Sequence, residues 1–254
     1  MAGKFIGIGV GPGDPELLTI KAAKALSTAD VVCVPKSHAK KPSMALGMIQ
    51  QIIKERVNPP EVLELVFPMT KDQLNIKQLW VKNADIVASK VKSGKVLAFI
   101  TLGDPMLYST FLYLYQTIKE IHPEVVLEII PGVTSVTAAA ASAKLPLALK
   151  DESVSIIPSD LDPLLIEETA RCADNIIFMK CAYRIKELLP ILAKAGFSDD
   201  STISLVKRCT LPEEKVLIGK LRDVPSWDII EDYFSVAIVK RSQLPIRWRE
   251  DDKS

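Results

Sequence analysis

Two Gly-Asp-Pro tripeptides, Gly13-Asp14-Pro15 and Gly103-Asp104-Pro105, stand where an apolar run gives way to a helical pattern. Glycine lets the backbone approach a neighbour closely, the carboxylate accepts from the exposed amides of a first helical turn, and proline suits the first helical position. A third turn, Pro131-Gly132-Val133-Thr134-Ser135, leads into Ala138 to Ala141, small enough for close helix packing or for a ligand to lie against them. The chemistry open to such turns is binding through main-chain groups. An acidic side chain beside them repels phosphate and suits a neutral or cationic small molecule. One such turn is explained by strand-to-helix geometry and a cap alone, whereas two at successive strand ends also admit a shared pocket.

The spacing excludes several better-known cradles. Starting G-x-G-x-x-G from Gly7, Gly9 or Gly11 puts Pro12, Asp14 or Glu16 where the last glycine is needed, and no G-K-[ST] occurs. Ser135 has no histidine near it in sequence and lies in no G-x-S-x-G elbow, which speaks against a hydrolase nucleophile. With only two histidines, His38 and His122, the chain cannot build a multi-histidine metal site, and no metal site is expected. Cys33, Cys172, Cys181 and Cys209 form no C-x-x-C pair and read as reduced cytosolic thiols.

The elements that must carry these turns follow from the apolar pattern. A strand Lys4 to Val10 leads through the first turn to a helix ending near Thr28, whose buried stripe is Leu17, Leu18, Ala22, Ala25 and Leu26, and then to a strand Asp30 to Val34. Helices are expected over Met44 to Val57 and Asp72 to Lys92, flanking an extended segment Glu61 to Phe67. A buried strand Lys95 to Thr101, an apolar helix to about Ile121 and a strand Val125 to Ile130 complete a repeated strand, glycine turn and helix. This alternation predicts parallel α/β layers, with ligands beyond the carboxyl ends of the strands. Later strand candidates, Val154 to Pro158, Asn175 to Met179, Thr202 to Val206, Lys215 to Ile218 and Tyr233 to Val239, differ in character and interleave with three helices. Two domains, 1–125 and 126–254, are therefore expected, with a tail from Pro245 that frays.

Composition agrees with a folded chain. The 254 residues are 48% hydrophobic and 25% charged, and 32 basic against 31 acidic residues leave a net charge of +1. That balance predicts neither general nucleic-acid binding nor attraction to an anionic membrane. The longest uncharged stretch, Ile129 to Ala143, is broken by Pro131 and Gly132 and falls short of the roughly 20 apolar residues of a membrane helix. The apolar start, Phe5 to Val10, is short and runs into Asp14, so no signal peptide is expected.

Gly9-Val10-Gly11-Pro12-Gly13-Asp14-Pro15, followed by Leu17-Leu18-Thr19 and Lys21-Ala22, resembles the opening signature of the tetrapyrrole methylases. Ile100 to Pro105 resembles that family's second glycine loop, and Pro131 to Ala141 its third block. Ile177-Phe178-Met179 and Val206 to Thr210 resemble two later segments, so the similarity spans nearly the whole chain. Ala29 to Val32, Val34 to Ser37 with the insertion after it, and Gly103 to Thr110 look most like the precorrin-2 or cobalt-factor II C(20) branch. Two departures stand out: many relatives have glycine where this chain has Leu102, and glycine where Cys209 stands.

The resemblance implies an α/β protein of two α/β domains with a cofactor cleft between them, of the class III methyltransferase type, working as a cytoplasmic homodimer. It implies S-adenosylmethionine as cofactor, S-adenosylhomocysteine as product, and methyl transfer to carbon 20 of precorrin-2 or cobalt-factor II in cobalamin biosynthesis. Methylation of another position, on uroporphyrinogen III or a later precorrin, and a non-enzymatic nucleoside-binding role are the alternatives. By similarity the cofactor contacts are Pro12, Leu102, Gly103, Asp104, Leu107, Tyr108, Thr134, Ser135, Met179 and Cys209, with Asp104 accepting from the methionine ammonium. The substrate's carboxylates call for cations such as Lys36, Lys180, Arg184 and Arg208, with Lys40 and Lys41 as further candidates. No side chain is assigned as the base, and both metal-free and cobalt-loaded acceptors remain open.

Overall fold

The computed structural model describes residues 3–36, 43–67 and 73–241. The chain forms two compact units, one through Ser135 and one from Val136 onward. The first contains β1 (Lys4–Gly9), a 3-10 turn (Pro15–Leu17), α1 (Ile20–Thr28), β2 (Val31–Lys36), α2 (Met44–Lys54), β3 (Glu61–Val66), α3 (Gln73–Lys92), β4 (Val96–Thr101), α4 (Phe111–Ile121) and β5 (Leu127–Ile130). After α5 (Ser135–Ala143), the second contains β6 (Val154–Pro158), α6 (Pro163–Arg171), β7 (Asn175–Met179), α7 (Ile185–Lys194), β8 (Thr202–Lys207), β9 (Lys215–Lys220), a 3-10 segment (Leu221–Ser226) and β10 (Ser235–Lys240). Lys40, Lys41, His38 and the tail from Pro245 lie outside the described residues.

In the first unit the strand order is β3-β2-β4-β1-β5 and every pair is parallel. Parallel strands are covered on both faces, which is why Phe5, Ile6, Ile8 and Leu97 to Ile100 read as near-continuous apolar runs and are all buried. One face packs Phe5, Phe99 and Phe111 against Val87 of α3 and Leu114 and Ile118 of α4. Elsewhere α1 and α2 touch each other and β4. Because β1 lies between β4 and β5, the three turns that follow these strands are forced to one edge of the sheet.

Several boundaries differ from those the sequence predicts. β5 runs in register with β1 from Phe5–Leu127 to Ile8–Ile130, so it belongs to the first sheet, whereas a division at 125/126 would have separated it. The helix expected from the first turn to Thr28 is broken in two. Asp14 accepts from Glu16 N and caps only the 3-10 turn; Leu18 and Thr19 are extended, and Thr19 Oγ1 starts α1 by accepting from Ala22 N at 3.1 Å. Of the expected stripe, Ala22 and Leu26 are fully buried, while Leu17, Leu18 and Ala25 are half-buried. α2 ends at Lys54 rather than Val57, ahead of Pro59 and Pro60.

The second unit has order β6-β7-β10-β8-β9, parallel only between β6 and β7. The antiparallel pairs account for the changed character of its strands. Phe178, Ile203, Leu205, Ala237 and Val239 face Ile166 of α6 and Ile185, Leu188 and Leu192 of α7. Where three interleaved helices were expected, the described residues between β6 and β10 form two α-helices and a 3-10 segment that contains Pro225.

Lys240 is fully buried at the end of β10. Its ammonium donates to Glu152 Oε2 at 2.9 Å, and the same oxygen accepts from Leu149 N and Asn175 Nδ2, both at 3.0 Å. A buried ion pair adds little over an apolar one, but losing one partner strands a charge. Glu152→Ala should therefore cost about 3–5 kcal/mol in urea unfolding; a loss under about 1 kcal/mol would show that water reaches the Lys240 ammonium.

Candidate functional site

At the carboxyl edge of the first sheet the three turns approach one another backbone to backbone. Gly103 N donates to Gly11 O at 2.7 Å, and Gly11 N to Gly103 O at 3.4 Å, so turns one and two form a short bridge. The Gly103 carbonyl oxygen also sits between two glycines. A Cβ added to Gly132 would stand 2.3 Å from it, and one added to Gly9 would stand 2.5 Å from it, both far inside contact distance. Gly103 itself has φ +66°, a conformation other residues avoid.

Asp104 fastens the third turn. Its Oδ2 accepts from Gly132 N at 2.9 Å and its Oδ1 from Met106 N at 2.8 Å. The carboxylate thus spans turns two and three, each oxygen retaining further acceptor capacity. Behind it, Thr101 Oγ1 and Ser109 Oγ are 2.9 Å apart in a buried pair, and Ser109 Oγ accepts from Phe111 N at 3.1 Å. This local bond and the left-handed Tyr108 (φ 48°) delay α4 to Phe111, although an apolar helix had been expected directly after Pro105. Tyr108 is thereby left about half exposed, at 48%.

Facing Gly103 are Thr134 and Ser135 at the start of α5: a Cβ on Gly103 would lie 3.9 Å from Thr134 Cα and from Ser135 N. Pro12 follows Gly11, whose φ of +81° turns the chain, and Leu102 and Leu107 are half-buried beside the Gly103–Asp104 bend. Eight of the sequence-derived positions, Pro12, Leu102, Gly103, Asp104, Leu107, Tyr108, Thr134 and Ser135, therefore fall on these three turns.

Met179 and Cys209 belong to the second sheet. Met179 and Val206 both pair with Val236, so the ends of β7 and β8 stand at one edge with β10 between them. Lys180 is left-handed (φ 58°) and anchored by its amide to Ser235 O at 2.7 Å, while Ser235 Oγ accepts from Cys181 N and Ala182 N, both at 2.9 Å. Cys209 is buried between two left-handed residues, Arg208 (φ 48°) and Thr210 (φ 64°). Burial pushes its thiol up to about 11 against the lowering effect of Ser142, so it stays protonated at neutral pH and is a poor nucleophile. Ser235, Ser142 and Glu214, which hold these bends, carry no signal in the sequence.

Three of the four cations expected to meet substrate are already paired. Lys36 is with Glu64, Arg184 Nε donates to Glu187 Oε2 at 2.9 Å, and Arg208 Nε donates to Asp232 Oδ2 at 2.7 Å. Lys180 makes no ion pair among the described residues; its ammonium lies 4.9 Å from the Tyr233 ring centroid.

The family model of the tetrapyrrole (corrin/porphyrin) methylases matches residues 4–225. The chain belongs to that family. It is 40% identical over 238 residues to a Methanocaldococcus jannaschii protein named probable cobalt-precorrin-2 C(20)-methyltransferase, covering 94% of this chain and 96% of that one. A cobalt-precorrin-2 C(20)-methyltransferase of Salmonella typhimurium is 35% identical over 215 residues, covering 85% and 87%. Among solved structures, a cobalt precorrin-4 methyltransferase matches with TM-score 0.70 and 25% identity over 93% of this chain and 94% of that one. A Thermus thermophilus uroporphyrin-III C-methyltransferase complexed with S-adenyl homocysteine matches in fold, with TM-score 0.68 and 20% identity over 93% and 97%.

The Asp104 staple has a direct test. Asp104→Asn keeps the shape but sets an amide NH2 against one of the two backbone N–H donors, so it should cost about 1–3 kcal/mol in denaturant unfolding. Unchanged stability would mean that the carboxylate is not what fastens turn two to turn three.

Proposed function

We propose that this protein transfers a methyl group from S-adenosylmethionine to carbon 20 of cobalt-loaded precorrin-2. The observation that carries the reaction class is the meeting of three glycine turns around the Gly103 carbonyl, in a chain matched to the methylases from residue 4 to residue 225. The position and the metal follow the relatives: those at 40% and 35% identity are named for cobalt-precorrin-2, whereas a relative named for precorrin-2 is 28% identical. Cobalt is here part of the substrate.

The residues suit a sulfonium nucleoside. Gly103 lies against Thr134 and Ser135, where an added Cβ would stand in van der Waals contact at 3.9 Å, and the carboxylate beside it is acidic rather than basic. Bound there, S-adenosylmethionine supplies an already electrophilic methyl carbon, and S-adenosylhomocysteine is left as product. The chain's own part is to hold. Pro12, Leu102, Gly103, Asp104, Leu107, Tyr108, Thr134 and Ser135 are read as donor contacts of the first unit, largely through main-chain groups, and Met179 and Cys209 as those of the second. Asp104 has room to accept from the donor's ammonium in addition to its two backbone bonds. Fixing donor and acceptor in near-attack geometry is worth up to about 7–11 kcal/mol, so little acid or base chemistry is required of the protein. Among the expected substrate cations, Lys180 is the best placed to meet a carboxylate of the ring, and Lys36, Arg184 and Arg208 would first exchange their present partners.

Incubation with methyl-labelled S-adenosylmethionine and either precorrin-2 or its cobalt complex, with the label located by NMR, should show transfer to carbon 20 and faster turnover of the cobalt complex. Label at another carbon would reassign the position; donor binding with no transfer to any tetrapyrrole would favour a nucleoside-binding module. The reading also takes the protein as a cytoplasmic homodimer. No helix among the described residues is long and apolar enough to cross a membrane. Light scattering should give twice the chain mass of 27.9 kDa, and a monomer mass would reject the dimer.

A further inference from the structure

The bend after β8 has two left-handed residues in three, Arg208 and Thr210, neither of them glycine. Such a bend persists only where its surroundings over-determine it. Arg208 is held on one side, by its amide to Phe234 O at 2.8 Å and its guanidinium to Asp232. On the other side one carboxylate oxygen bonds both the bend and α5. Glu214 Oε2 accepts from Thr210 N at 2.6 Å and from Ser142 Oγ at 2.8 Å. Ser142 lies in the last turns of α5 and its hydroxyl is 3.6 Å from Cys209 Sγ. The carboxylate therefore ties the bend to α5 beside Cys209, and its bond from Thr210 N is short.

We propose that Glu214 is a positioning residue for donor binding, its carboxylate locking the 208–210 bend against α5 so that Cys209 is presented in one place. This rests on the reading of Cys209 as a donor contact, made above. The function of the carboxylate is then geometric. An uncharged acceptor of the same shape keeps the Thr210 bond, while truncation frees the bend to relax toward ordinary backbone. The negative charge also helps to raise the Cys209 thiol, so charge and geometry can be separated by one substitution.

The test uses the full chain with Cys172→Ser, which removes the exposed free thiol. Glu214→Ala should weaken S-adenosylhomocysteine binding by about tenfold or more in calorimetry. In turnover it should raise KM for S-adenosylmethionine more than it lowers kcat, because the lost term is donor placement. Glu214→Gln should restore most of the affinity yet shift the pH midpoint of Cys209 alkylation downward, since the carboxylate is gone while the bond to Thr210 persists. A folded Glu214→Ala protein that binds S-adenosylhomocysteine as the parent does overturns the proposal. Should that variant not fold, Glu214→Gln carries the test: a folded Gln variant that loses about tenfold or more in S-adenosylhomocysteine affinity overturns the proposal, because it keeps the shape and the acceptor for Thr210 N. Cys209→Trp separates the two claims: undiminished S-adenosylhomocysteine binding there would remove Cys209 from the donor site, whatever Glu214 does.

Discussion

One carbonyl oxygen organises the first unit. Gly103 O is held where side chains on Gly9 or Gly132 could not coexist with it, so the segments around Gly9, Gly103 and Gly132 come within backbone contact. The parallel order β4-β1-β5 delivers the three strand ends to one edge, but only the missing Cβ atoms let the turns close on each other. Asp104 then bonds across turns two and three, converting proximity into a defined arrangement. A backbone-lined surface fixed in this way is largely independent of side-chain rotamers.

Such a surface fits chemistry in which the reactive charge arrives with the ligand. The described residues present protonated thiols at Cys33, Cys181 and Cys209, raised by burial, and the carboxylate at the turns is occupied in bonding amides. Rate then derives from orientation. The second unit shows the same economy at its strand ends: the left-handed Lys180, Arg208 and Thr210 are each secured by acceptors from elsewhere in the unit, Ser235, Phe234 and Glu214. Glycine could adopt those angles without help, whereas here non-glycine residues do so under external constraint.

Much of this is legible in the amino-acid sequence. Asn175–Met179 and Val154–Pro158 agree with the strands read from the pattern; in the first, a buried strand announces itself by the apolar run Ile176 to Met179. The turns are legible for a similar reason, since Gly-Asp-Pro is local chemistry. The differences from the apolar pattern are also local. Asp14-Pro15 is a sound helix start, yet Thr19 supplies a second one, and two caps five residues apart divide the helix. Ser109 delays α4 by bonding the Phe111 amide, an option that apolar periodicity does not reveal.

The order of strands, helices and turns, and the residue types at the turns, were therefore determined by the sequence itself, since each depends on neighbours within a few positions. Tertiary structure decided the rest. That β5 closes the first sheet, that Asp104 reaches Gly132, that Arg208 pairs with Asp232, and that Glu214 reaches Ser142 all depend on contacts between residues from 24 to well over a hundred positions apart. The longer-range ones leave no periodicity in the chain, because a hydrogen bond between distant elements requires only one acceptor in the right place, and any of 31 carboxylates could have supplied it.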